Sequence, residues 1–217
     1  MQLLLRVLGL NLLAQFGSRL PGAVVRTITS LVLIGANLLP IHAVVNGTLG
    51  LGDVFVLYWI ENVLVYLATI VRLLTVQPRD EFMATFFPIH YGIFTAVHGA
   101  FALVFAGMTG WFAGGSFYWI VVVAAMFISQ LVSLGLNWFG RGEYRAASPS
   151  RVAFAPYPRM LAMHGAIIAG AFLVFGLHPS RHAVQAVAIL CGAKTLIDLT
   201  FHLVERALYG QGQGARV

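Results

Sequence analysis

The stretch VFVLYWIENVLVYLATIVRLLTV, from Val54 to Val76, decides the fold. Only two of its side chains are charged, those of Glu61 and Arg72. A helix needs about 20 largely apolar residues to cross the hydrocarbon core of a membrane, so this stretch predicts a transmembrane helix. Further stretches that meet the same requirement are Ile28–Val45, Thr85–Ala106, Phe117–Trp138, Arg159–Leu177 and Ala183–Val204. We therefore predict an all-α, polytopic integral membrane helical bundle of about six transmembrane helices.

The composition of the whole chain supports this class. Charged residues make up 9% of the 217 positions and hydrophobic residues 59%, and the mean hydropathy is +0.87. Soluble domains carry roughly 25% charged residues, so the water-soluble and disordered classes are excluded. The 13 basic residues are spread between apolar segments and form no dense patch, which excludes nucleic acid as a partner. The partner implied by this composition is the lipid bilayer.

The basic residues predict an orientation. Eleven arginines fall on one side of the predicted spans and only Arg181 on the other. The eleven are Arg6, Arg19, Arg26, Arg72, Arg79, Arg141, Arg145, Arg151, Arg159, Arg206 and Arg216. Cytoplasmic loops carry an excess of Lys and Arg. We therefore predict a multi-pass protein of the cell (inner) membrane with both termini in the cytoplasm.

The segment before the first span has a different character. The N-terminal run MQLLLRVLGLNLLAQF has no basic leader and no evident cleavage site, so it is not a standard signal peptide. An amphipathic helix of this kind lies in the membrane interface. The predicted organisation is thus an amphipathic segment at 1–26, the six-span membrane domain at 27–208 and a flexible tail at 209–217.

Ionisable side chains within the spans are the candidate functional residues. A charged group at the centre of a membrane helix costs roughly 2.5–3.5 kcal/mol on insertion scales, so it persists where it pairs, coordinates an ion or lines water. At about 1.5 Å per residue, four such groups fall in the cytoplasmic half of the spans: His90, His164, His202 and Asp198. Three imidazoles and a carboxylate suit a divalent metal such as zinc or iron. A metal-bound water there would make a metal-dependent membrane enzyme chemically feasible.

A second layer of ionisable groups lies nearer the middle of the membrane. Glu61 and Lys194 are predicted to form a buried ion pair, and His98 lies at a similar depth. The pair is either structural or part of a proton or ion pathway through all three residues, as in a small transporter. The remaining alternatives are haem held by two of the histidines, a purely structural polar network, and a homo-oligomer or assembly partner without chemistry. The substrate is not specified by the sequence.

The long connection from Asn137 to Met160 carries four arginines. These residues either bind anionic lipid headgroups, or the loop folds back to cap a site at the cytoplasmic face. The loop residues proposed to form that cap are Arg141, Glu143, Tyr144 and Arg145.

Several pieces of the chain also carry a resemblance. They are YWIEN (Tyr58–Asn62), FFPIHYGIFTAVHGAF (Phe86–Phe101), NWFGRGEYR (Asn137–Arg145), FAPYPRMLAMH (Phe154–His164) and KTLIDLTFHLVER (Lys194–Arg206). Together they resemble a prokaryotic family of multi-pass membrane proteins, the domain of unknown function 6498, over about Asp53 to Arg206. The resemblance implies an integral membrane helical protein and assigns no activity, cofactor or substrate. The family-like residues are Glu61, His90, His98, His164, Lys194, Asp198, His202 and the loop Gly140–Tyr144.

Overall fold

A computed structural model describes residues 9–110 and 116–176, and every regular element in these ranges is helical. The elements are α1 (Leu10–Arg19), α2 (Gly22–Val45), α3 (Leu51–Thr75), α4 (Glu81–Thr109), α5 (Ser116–Val132), a π-helix (Ser133–Gly140), a 3₁₀ turn (Glu143–Arg145), α6 (Pro149–Phe154) and α7 (Tyr157–Gly176). The all-α prediction is therefore confirmed for the described residues.

Four helices in the described ranges are long and apolar enough to cross a membrane. They are Gly22–Val45, Gly52–Thr75, Glu81–Thr109 and Phe117–Gly140. They correspond to the first four predicted spans and indicate a membrane protein. Helix α7 covers the fifth predicted span, Arg159–Leu177, as far as Gly176, and the sixth, Ala183–Val204, lies outside the described residues. The count of six spans and the cytoplasmic placement of the termini therefore stay predictions.

Helices α3 and α4 pack as an antiparallel pair through small residues. A side chain at Gly52 would collide with the backbone carbonyl of Gly110, and one at Gly99 would lie 2.5 Å from the indole of Trp59. At the other end of the pair, Gly92 faces the hydroxyl of Tyr66. Small residues let the backbones of membrane helices approach closely. These contacts fix the register that brings the polar side chains of α3 and α4 together.

Helix α4 divides cleanly into two faces. Its buried stripe includes Phe87, Tyr91, His98 and Ala102, which follow helical spacing. Its exposed side chains include large apolar residues: Ile89, Ile93, Val97, Phe101 and Val104. A helix whose outer face is apolar and whose inner face holds polar groups fits a lipid-facing span.

Helix α5 and the π-helix that continues it run parallel to α3. Near the start of both helices, the indole N–H of Trp119 donates to the Oδ1 atom of Asp53 at 2.9 Å. At the far end, the indole N–H of Trp138 donates to the Thr75 hydroxyl at 2.8 Å. The end of the bundle that holds Thr75 and the loop 141–145 is called the arginine-rich end below.

Helix α1 packs against the π-helix through glycines. A side chain at Gly17 would lie 2.6 Å from the carbonyl oxygen of Leu136, and Gly135 faces the side chain of Leu13. Another side of α1 exposes Leu12 and Phe16. The described part of the N-terminal segment is thus helical with an exposed apolar face, while its location in a membrane interface is not confirmed.

The chain separates into two compact units, Met1–Pro156 and Tyr157–Val217. The first contains α1 to α6, and the described part of the second is α7. The predicted divisions after residues 26 and 208 remain untested predictions.

Candidate functional site

Glu61 and His98 are the members of the predicted mid-membrane layer that the structure describes, and both are buried. Glu61 is 4% exposed and His98 is 3% exposed, and both lie within candidate membrane spans. Their level in the bundle is set by Trp59, whose indole contacts the backbone of Gly99. Residues 59–62 of α3 therefore stand beside residues 95–99 of α4. The structure places Glu61 and His98 at the same height on neighbouring helices.

The imidazole of His98 is held in one orientation. Its Nδ1 atom lies 2.7 Å from the carbonyl oxygen of Phe94, one turn earlier on α4. A carbonyl oxygen only accepts hydrogen bonds, so Nδ1 carries the proton and donates. In the neutral ring Nε2 is then the nitrogen that accepts hydrogen bonds.

A chain of hydrogen bonds joins α3 to α4 beside these two residues. The Asn62 side-chain amide donates to the Thr95 hydroxyl at 3.1 Å, and the Tyr91 hydroxyl donates to the Oδ1 atom of Asn62 at 2.5 Å. The indole N–H of Trp59 donates to the Thr95 carbonyl at 2.9 Å. We call Trp59, Asn62, Tyr91, Thr95 and His98 the polar seam.

Glu61 lies on a different face of α3 from the seam. It precedes Asn62 by one residue, which is about 100° around a helix. Eleven residues, or about three turns, separate it from Arg72, so those two share a face. Arg72 contacts the π-helix, because its Nη2 donates to the Ser133 hydroxyl at 3.0 Å. The seam residues of α3, Trp59 and Asn62, thus face α4. Glu61 lies on another side of α3, the side that bears Arg72.

Sequence reasoning missed the neutral members of the seam. Asn62 and Thr95 carry no charge, and a neutral polar group in a span gives a weaker sequence signal than a carboxylate or an imidazole. One signal was available. Trp59, Asn62 and Tyr66 recur at spacings of three and four residues, which places three hydrogen-bonding side chains on one face of α3.

The structural role of Arg72 was also not predicted from the sequence, which used this residue only to predict the orientation of the chain in the membrane. Its guanidinium lies 5.9 Å from the ring centroid of Trp138, within cation–π range. Its Nε atom is buried with no hydrogen-bond partner in the described part of the chain. Arg72 therefore ties the end of α3 to the π-helix through Ser133 and Trp138.

Of the four predicted metal ligands, the structure describes His90, in the first compact unit, and His164, in the second. The half-buried ring of His90 stacks on Phe86 at 4.9 Å and lies 5.1 Å from the ring of Phe94 on the same helix. His164 is exposed on α7, in the second compact unit. Among residues 9–110 and 116–176, no group of three or more His, Cys, Asp or Glu side chains is placed to hold a metal ion. The structure therefore gives no support to metal binding.

The other members of the predicted set lie elsewhere. Asp198, His202 and Lys194 fall outside the described residues. The zinc or iron site, the haem alternative and the Glu61–Lys194 ion pair accordingly stay predictions.

The loop after the π-helix packs back on the arginine-rich end. The backbone N–H of Gln77 donates to the carbonyl of Tyr144 at 2.7 Å. The Arg145 guanidinium lies 5.0 Å from the centre of the Tyr144 ring, and that of Arg141 lies against Gly22 at the start of α2. Glu143 is exposed. The two roles predicted for this loop, headgroup binding and capping of a site, stay predictions.

Comparison with known proteins identifies a family. No curated protein and no solved structure matches the chain. The profile of a family of unknown function, DUF6498, matches residues 19–214. This range includes the candidate spans, the polar seam and the loop, and it agrees with the resemblance seen in the sequence. The chain therefore belongs to the DUF6498 family.

Proposed function

We propose that this protein is a small multi-pass membrane carrier that couples its transport to protons at Glu61 and His98. The observation that carries the proposal is the burial of these two side chains, 4% and 3% exposed, at one level of adjacent candidate spans. Ionisable groups within membrane helices are costly and mark proton relays and ion pathways. A purely structural role is better served by neutral groups, which the neighbouring seam already supplies.

The two residues have different parts in the proposed cycle. His98 presents Nε2 for proton exchange, since Nδ1 is bonded to the Phe94 carbonyl. Glu61 holds the second exchangeable proton on the side of α3 that carries Arg72. Lys194 is the proposed counter-charge for Glu61, as the sequence predicts. Movement of a proton on or off a buried carboxyl changes the balance of charge inside the span, and the helices respond by repacking.

Charge movement after a pH step tests this proposal. Proteoliposomes adsorbed on a solid-supported membrane give a transient current when protons enter a site within the membrane. We expect such a transient in the wild type and its loss in Glu61→Gln. Glu81→Gln is the matched control, because that side chain is 75% exposed beside Arg79 at the helix end. An undiminished transient in Glu61→Gln would contradict the proposal.

A further inference from the structure

The exposed side of α1 changes from apolar to basic along the helix. Leu12, Phe16 and Arg19 follow one another at spacings of four and three residues, so they form one stripe on the helix surface. Leu12 is 73% exposed and Phe16 is 55% exposed, and Arg19 is exposed as well. We call these three residues the α1 stripe. It presents two apolar side chains followed by a guanidinium group.

The contacts of α1 show where this stripe lies along the bundle. Helix α1 packs on the π-helix, which ends the candidate span Phe117–Gly140. A side chain at Gly140 would lie 3.1 Å from the Cα atom of Gly17, so the two backbones touch here. Arg19 follows Gly17 by two residues, and Arg141 follows Gly140 directly. The two arginines therefore start from neighbouring points of the backbone, at the end of a candidate span.

The guanidinium of Arg141 rests on the start of α2. A side chain at Gly22 would lie 2.6 Å from both Nη1 and Nη2 and 2.7 Å from Cζ. Because these three distances are nearly equal, the planar group presents mainly its face to Gly22. Its N–H donors lie in the plane of the group and so are directed away from the α2 backbone. Arg141 is exposed, which leaves these donors accessible to a ligand.

The two arginines lack the carboxylate partner that another arginine at this end has. Arg79 forms an ion pair with Glu81 at 2.9 Å. Neither Arg19 nor Arg141 forms an ion pair within the described residues. Two guanidinium groups that start from touching backbones repel each other. An anion bound between them replaces this repulsion by attraction.

We propose that Arg19 and Arg141 bind the headgroup of an anionic phospholipid, whose acyl chain lies along Leu12 and Phe16. Guanidinium groups match the oxygens of a phosphate with two parallel hydrogen bonds. The order of the site, with apolar side chains beside the span and positive charge where the span ends, is complementary to such a lipid. A soluble phosphate would use the two arginines but not the apolar stripe. The site does not depend on proton coupling at Glu61.

Native mass spectrometry of the full-length protein, released from detergent micelles, measures lipid binding. The probes are phosphatidylglycerol and phosphatidylcholine with the same acyl chains, so that they differ in headgroup charge. An arginine near the surface contributes a factor of about five to the affinity for anionic lipid. We expect Arg19→Gln and Arg141→Gln each to weaken phosphatidylglycerol binding by this factor and to leave phosphatidylcholine binding unchanged. Arg79→Gln, which removes the same charge from the ion pair with Glu81, is the matched control and is expected to bind like the wild type.

Gly22→Ala tests the position of Arg141 without changing any charge. The added carbon overlaps the far end of a flexible side chain, so α2 is kept while the guanidinium is displaced. We expect a loss of phosphatidylglycerol binding close to that of Arg141→Gln. Gly35→Ala, in the same helix with nothing within 4 Å of the added carbon, is the control and should bind normally. If Arg141→Gln folds poorly, Arg19→Gln and Gly22→Ala decide the outcome.

The acyl-chain part of the site is tested by Phe16→Ser, which is expected to weaken the binding of both lipids. Three results would overturn the proposal. The first is unchanged phosphatidylglycerol binding in Arg19→Gln and Gly22→Ala. The second is an equal loss in Arg79→Gln, which would indicate diffuse attraction to the whole end. The third is displacement of phosphatidylglycerol by inorganic phosphate together with normal binding by Phe16→Ser, which would identify a soluble anion as the ligand.

Discussion

The hydroxyl of Tyr91 donates to the Oδ1 atom of Asn62 at 2.5 Å, and the two side chains are 0% and 2% exposed. This bond crosses from α4 to α3 in the middle of two candidate spans. A polar group inside a bilayer has no water to replace a lost partner. The Tyr91–Asn62 bond therefore stabilises the helix pair.

Removal of this bond is expected to destabilise the fold measurably. Interhelical hydrogen bonds in membrane proteins contribute about 0.6 kcal/mol on average and at most about 1.7. Because the Tyr91–Asn62 bond is short and fully buried, we predict that Tyr91→Phe lowers the free energy of unfolding by about 1–1.7 kcal/mol, the upper part of this range. Tyr66→Phe, which loses a bond to a backbone carbonyl on a half-buried side chain, is expected to lose less. Unfolding by SDS titration measures both, and equal stability of Tyr91→Phe and wild type would refute the prediction.

The glycine contact at the far end of α3 and α4 gives a second prediction. A side chain at Gly52 would collide with the Gly110 carbonyl and crowd Thr109, and backbone atoms cannot swing aside. Gly52→Ala is therefore expected to destabilise the protein by about 1–3 kcal/mol, as overpacking does. Gly107→Ala is the matched control, since nothing lies within 4 Å of the added carbon.

The control variant should be neutral or more stable, because alanine in a helix is favoured over glycine by about 0.5–1 kcal/mol. Thermal unfolding in detergent separates the two variants. If Gly52→Ala and Gly107→Ala unfold at the same temperature, the backbone of Gly52 does not lie as close to Gly110 as the structure has it.

Trp119 is predicted to stabilise the protein because its indole N–H donates to the carboxyl group of Asp53. The Asp53 carboxyl is fully buried, with Oδ2 accepting from the Gly50 N–H at 2.7 Å and Oδ1 accepting from Trp119. Hydrogen bonds to charged groups contribute about 1.5–3 kcal/mol, against about 0.5–1.5 for neutral pairs. Trp119→Phe should therefore destabilise the protein more than Trp138→Phe, whose indole N–H donates to the neutral Thr75 hydroxyl. SDS titration measures the stability of the two variants. If Trp138→Phe were the less stable one, this would count against the Trp119–Asp53 hydrogen bond.

His98→Asn separates the structural and proton-exchanging parts of the imidazole. An asparagine amide reaches the position of Nδ1 and donates to the Phe94 carbonyl, but it offers nothing at Nε2 that binds a proton. We predict wild-type stability together with loss of the pH-step current. If His98→Asn keeps the full current, His98 is not an exchange site. If it simply unfolds, the ring is needed for packing.

The sequence predicted the all-α class and the four candidate spans that the structure describes, for a physical reason. Long apolar runs and isolated charges within them carry large free-energy terms, so Val54–Val76, Glu61 and His98 stand out without structural knowledge. The hydrogen-bonded partners did not stand out. Asn62 and Thr95 acquire their importance from the register of α3 against α4, which glycine contacts decide and which a hydropathy pattern does not encode.

The predicted histidine site illustrates the same limit. Depth along a helix follows from residue counting, but the direction of a side chain around the bundle depends on which helices are neighbours. The ring of His90, for example, stacks along its own helix on Phe86. The π-helix at Ser133–Gly140, against which α1 packs, was likewise not predicted, because a hydropathy pattern does not distinguish it from an α-helix.

The central claim is that Glu61 changes its protonation inside the span, and infrared difference spectroscopy of the protein in lipid tests it most directly. Between two pH values, the wild type is predicted to show a carboxylic-acid carbonyl band that shifts in D₂O. Glu61→Gln should lose this band, while Glu81→Gln, at an exposed carboxylate, should keep it. A difference spectrum that Glu61→Gln leaves unchanged would contradict the account.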